Sequence, residues 1–81
     1  MRRFRCTRKL EIKGQVYDDG LRRIPNPEES LRILPGMLFM EYGEDALLVA
    51  EPPYIHLESM DGLWAEVHPD ILKEFFEEVP W

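Results

Sequence analysis

The sequence predicts a small, mostly β domain: a strongly bent antiparallel sheet forming an SH3-like, partly open barrel, closed by one C-terminal helix. An α+β arrangement, one antiparallel sheet packed on one helix, is the alternative. Three observations point there. Turn signals recur every 8–15 residues along a chain with seven Pro and five Gly. The segments between them are short and read as strands. Only one stretch repeats its apolar residues at helical period.

Taken in order, the strand candidates are Phe4–Ile12, Gln15–Tyr17, Leu31–Leu34, Met37–Tyr42, Ala46–Ala50, Tyr54–Ser59 and Leu63–Val67. Pro35-Gly36 is a tight-turn pair, so Leu31–Leu34 and Met37–Tyr42 read as a hairpin. Met60-Asp61-Gly62 reads as a second. A three-residue loop with Gly62 in the left-handed position pairs Leu57 with Ala65 and Ile55 with Val67 on one face. The other face then pairs His56 with Glu66 and Glu58 with Trp64. This register keeps the apolar set together, whereas a two-residue loop mixes the faces.

The helix candidate is Pro69–Val79. Pro69 suits the first turn, where its missing N–H costs nothing. Ile71, Leu72, Phe75, Phe76 and Val79 form one stripe, and Pro80 disfavours continuation. Asn26-Pro27-Glu28-Glu29 has capping chemistry but room for a single turn, so it reads as a loop. Glu51-Pro52-Pro53 reads as a stiff, extended connection.

Eighty-one residues make a single domain, 1–81, with 44% apolar and 11% aromatic residues, enough for a small core. A lone Cys6 excludes an internal disulfide and fits a reducing, cytoplasmic setting. The longest apolar run, Met37–Met40, is too short for a membrane span, so no membrane partner is expected.

Charge is unevenly divided. Residues 1–23 carry a net +5 and residues 24–81 a net −11. Arg2, Arg3, Arg5, Arg8 and Lys9, with Phe4 between them, form a basic arm suited to phosphates or to an acidic protein partner. The arm can equally pair with the chain's own acidic body, within one molecule or head-to-tail in a homo-oligomer.

Catalytic and metal chemistry find little support. Cys6, His56 and His68 match no standard zinc spacing, and both histidines read as surface residues with polar partners. Ser30, Ser59, Thr7 and Cys6 sit in no nucleophile motif. Cys6 alternates with Phe4 and reads as buried, although Arg5 and Arg8 would activate it on a shared surface. The carboxylate pairs Asp18/Asp19, Glu28/Glu29, Glu44/Asp45 and Glu77/Glu78 read as solvated. No cofactor motif is present, and a non-enzymatic protein is expected. The interaction candidates are Tyr54, Trp64, Glu66 and Trp81, because Trp64 and Tyr54 fall on the outward face of the hairpin.

Several short motifs resemble a group of small, uncharacterised proteins from prophages and conjugative elements of Gram-positive bacteria. These are Arg3-Phe4-Arg5-Cys6, the Pro35-Gly36 turn before an apolar strand, Tyr54-Ile55-His56-Leu57-Glu58, Asp61-Gly62, Trp64-Ala65-Glu66-Val67 and Phe75-Phe76-Glu77-Glu78. The chain departs from them at Pro27–Glu29 and Glu51–Pro53. The resemblance implies an accessory protein of a mobile element and no mechanism. Three functional expectations follow: a protein-interaction module using Tyr54 and Trp64, a nucleic-acid-binding accessory protein using the arm, and an acidic decoy occupying a host enzyme's nucleic-acid site.

Overall fold

The first strand of the structure pairs with the last, and this sets the architecture. The structure is a computed structural model that describes residues 2–13, 16–17, 25–26 and 30–80. The strands are β1 (Arg3–Cys6), β2 (Leu10–Lys13), β3 (Val16–Tyr17), β4 (Pro25–Asn26), β5 (Ser30–Ile33), β6 (Leu38–Tyr42), β7 (Ile55–Ser59), β8 (Trp64–Val67) and β9 (Phe76–Glu78). One helix, α1 (Pro69–Phe75), precedes β9. A five-stranded sheet runs in the order β8-β7-β6-β1-β9, with every neighbouring pair antiparallel. Two small ladders, β2 with β5 and β3 with β4, occupy the connection between β1 and β6. This is the wiring of an SH3-like open barrel: mostly β, bent and not closed.

The β7–β8 register is the one the sequence predicts: Ile55 opposite Val67, His56 opposite Glu66, Leu57 opposite Ala65 and Glu58 opposite Trp64. Gly62 adopts φ +88°, the left-handed turn position that side chains disfavour. Leu57, Ala65 and Val67 join Phe4, Cys6, Leu10, Ile33, Phe39, Leu72 and Phe76 in the core. Phe39 and Phe76 meet edge to face with centroids 5.8 Å apart.

Four expectations are corrected. Phe4–Ile12 is two strands, because the chain turns after Cys6: Thr7 N–H bonds to Phe75 O, and β2 leaves for the separate ladder. Pro35-Gly36 makes its turn, with Gly36 at φ +96°, but the flanking strands do not pair. It is a corner between ladders, since β5 bonds to β2 and β6 to β1. Ala46–Ala50 is not a strand; a 3-10 turn spans Glu44–Ala46 and a loop follows. The helix stops at Phe75 rather than Val79. Phe76–Glu78 is extended instead, and satisfies the edge of β1 through Cys6–Phe76, Arg5–Glu77 and Phe4–Glu78. Two adjacent phenylalanines fit either period, and the unpaired backbone of β1 decides between them. His68 enters the helix, its Nδ1 accepting from Asp70 N–H at 3.2 Å. Residues 27–29 and Trp81 lie outside the described residues.

Candidate functional site

The face of the β7–β8 hairpin turned away from the core carries His56, Glu58, Trp64 and Glu66. Alternation along each strand puts them there. This face is not open, because the loop after the 3-10 turn folds back over it. A carboxylate presented by one strand takes the N–H groups that the loop would otherwise leave unpaired. Glu66 Oε2 accepts from Leu48 N–H at 2.6 Å, and Glu66 Oε1 accepts from Val49 and Ala50 N–H at 2.9 and 2.8 Å. The fourth contact on Glu66 is His56 Nδ1, at 2.6 Å.

His56 is itself 1% exposed, and its other ring nitrogen, Nε2, lies 2.8 Å from Glu58 Oε2. Trp64 stacks on the imidazole with centroids 5.8 Å apart and planes 13° from parallel. Tyr42, on β6, approaches it edge-on at 6.2 Å. Burial alone would raise the Glu66 carboxyl pKa. The N–H groups of Ala50 and Val49, His56 and the N–H of Leu48 outweigh burial and hold it below the ordinary range. Glu66 is therefore ionised, and it ties the loop to the sheet.

Two expectations change here. Glu66 is 1% exposed and consumed internally, so it is no surface contact. His56 is not a surface histidine either. The sequence places His56 opposite Glu66 but does not show the loop that buries them. The available signal was the apolar run Ala46–Ala50, which needs cover of its own.

Tyr54 and Trp64 share a face but not a patch. Tyr54 is 39% exposed and meets the half-buried His68 edge-on at 5.5 Å. Trp64 is half-buried against His56, four residues further along the ladder, about 13 Å away at the strand rise.

The basic arm meets the acidic body within one molecule. Arg2 grips Glu41 with two bonds, Nε to Oε1 at 2.7 Å and Nη2 to Oε2 at 3.1 Å. Arg5 Nε donates to Glu77 Oε1 at 2.9 Å, and Arg8 reaches Glu74 at 3.2 Å. Arg2 also lies over Phe4 and Arg8 over Phe75. Arg3 is half-buried and Lys9 exposed. Cys6 is buried and donates to Arg8 O at 2.9 Å. Burial pushes its thiol pKa up, which opposes a reactive thiolate.

Where β6 and β8 end and β7 begins, beyond the Arg2–Glu41 pair, the sheet end is acidic. Glu44, Asp45, Glu51 and Asp70 are exposed there beside Tyr54, Pro52 and Pro53. Among the described residues no group of three or more His, Cys, Asp or Glu is placed to hold a metal ion, and no helix is long and apolar enough to cross a membrane. Comparison with known proteins finds no matching family model, no matching curated protein and no matching solved structure.

Proposed function

We propose that the chain is a non-enzymatic protein-interaction module whose acidic end binds a partner protein with a positively charged surface. The observation that carries this reading is the internal pairing of the arm. Arg2, Arg5 and Arg8 are committed to Glu41, Glu77 and Glu74. At the Tyr54 end Glu44, Asp45, Glu51 and Asp70 are exposed, and together they give that end a negative field. Tyr54 supplies an aromatic contact within that field, a combination that suits a basic surface with an apolar or cationic centre. Such a surface is also what a nucleic-acid-binding protein presents, so the acidic end suits a decoy. The sequence resemblance to small mobile-element proteins fits an accessory role of this kind.

The test is a pull-down from lysate with and without nuclease, eluted over a salt gradient. It compares the wild type with Tyr54→Ala and with the double charge reversal Glu44→Lys, Asp45→Lys. A protein retained after nuclease, released by salt and lost on charge reversal supports the reading. Retention of only nucleic acid, or a partner indifferent to the reversal, overturns it.

A further inference from the structure

His56 is buried between two carboxylates, and an ionised carboxylate only accepts hydrogen bonds. Contacts of 2.6 Å from Nδ1 to Glu66 and 2.8 Å from Nε2 to Glu58 are both bonds only when both nitrogens carry a proton. The two carboxylates are not equivalent. Glu66 is fully buried and is fixed by three backbone N–H groups besides His56. The Glu58 side chain is 44% exposed and has room to turn into water.

We infer that His56 is a proton-operated latch that holds Glu58 against the sheet, beside Trp64, and releases it when the ring loses its second proton. The neutral ring keeps its proton on Nδ1, because Glu66 cannot leave. Its bare Nε2 lone pair then faces the Glu58 carboxylate, and that contact turns repulsive. Glu58 rotates outward, and the cluster of Glu58, His56 and Glu66 passes from a net charge of −1 to −2 on the face that carries Trp64.

Other groups around the ring do not share this role. From β6 the titratable neighbour is Tyr42, edge-on at 6.2 Å. The 3-10 turn packs against β7 with Glu44 and Asp45 exposed to solvent. The loop contributes backbone N–H groups directed at Glu66. His68, two residues beyond Glu66 on the same face, is engaged elsewhere, against Tyr54 and with the N–H of Asp70. Nothing in the latch depends on the partner proposed above.

Trp64 reports the latch directly, since a charged imidazolium stacked on an indole quenches it more than the neutral ring does. In a Trp81→Phe background, Trp64 is the only tryptophan. Its fluorescence is followed from pH 5 to 9, alongside the His56 ring signals in NMR spectra. The expected result is one fluorescence transition that coincides with the His56 titration. Glu58→Gln moves that transition to lower pH, because a negative charge that favours the protonated ring is gone, and His68→Gln leaves it in place. Glu58→Gln alters a part-exposed side chain, so it tests the latch even if His56→Gln, which should abolish the transition, fails to fold. A flat profile, a transition that follows His68, or one that Glu58→Gln does not move overturns the inference.

Discussion

Replacing Glu66 by glutamine keeps the shape of the side chain and removes its charge. Four donors converge on its two oxygens: Leu48 N–H and His56 on Oε2, Val49 N–H and Ala50 N–H on Oε1. An amide has one carbonyl oxygen, so whichever way it turns, its NH₂ faces two of these donors. Each lost bond to a charged group is worth roughly 1.5–3 kcal/mol, which puts two at about 3–6. Part of this is recovered, because the loop is half-buried and can open to water. We expect a loss of about 3 kcal/mol. A domain of 81 residues is stable by about 4–12 kcal/mol, so the variant stays folded. Urea unfolding should show a lower midpoint with an unchanged slope. Hydrogen exchange should show selective loss of protection at the Leu48, Val49 and Ala50 amides. A destabilisation under about 1 kcal/mol, with these three amides as slow as in the wild type, would refute the claim that Glu66 pins the loop.

Two further outcomes follow from the same geometry. The Glu66 carboxyl pKa is held below its ordinary value, so its contribution is fully present above the unfolded value of about 4.3 and is lost as pH falls through the lower, folded value. Acid unfolding of the wild type should therefore steepen below about pH 4.3, and the Glu66→Gln variant should lack that part of the slope, as read by circular dichroism against pH. Gly62→Ala forces an L side chain into φ +88° in open space, a strain without a clash. It should cost about 1–2 kcal/mol in urea unfolding and leave the sheet intact.

The hairpin was legible because its two faces differ. Leu57, Ala65, Ile55 and Val67 can share a side in only one register, and the glycine at position 62 supplies the turn that sets it. The core position of Cys6 followed from the same alternation. What could not be read was set by partners far away in sequence. Phe75-Phe76 satisfies a helical stripe as well as the start of a strand, and only the unpaired edge of β1 decides. The apolar run Ala46–Ala50 looks like a strand, but the N–H groups of Leu48, Val49 and Ala50 go to a side-chain carboxylate, which mimics no strand pattern. Arg2, Arg5 and Arg8 were visible as a basic arm, but their acceptors lie 39 to 72 residues away. For the same reason the site resisted reading: alternation puts His56 and Glu66 on one face, and burial depends on a loop that returns over it.

Pairing of β1 with β9 also has a temporal side. Arg5 and Glu77 face each other across a separation of 72 residues, so the central sheet is incomplete until the end of that stretch has been synthesised. During synthesis β1 waits with one backbone edge open, and Phe4 and Cys6 wait for Phe76. Closing so long a loop is entropically slow, which makes folding late and cooperative, and a chain cut before Phe76 would lack one side of its sheet.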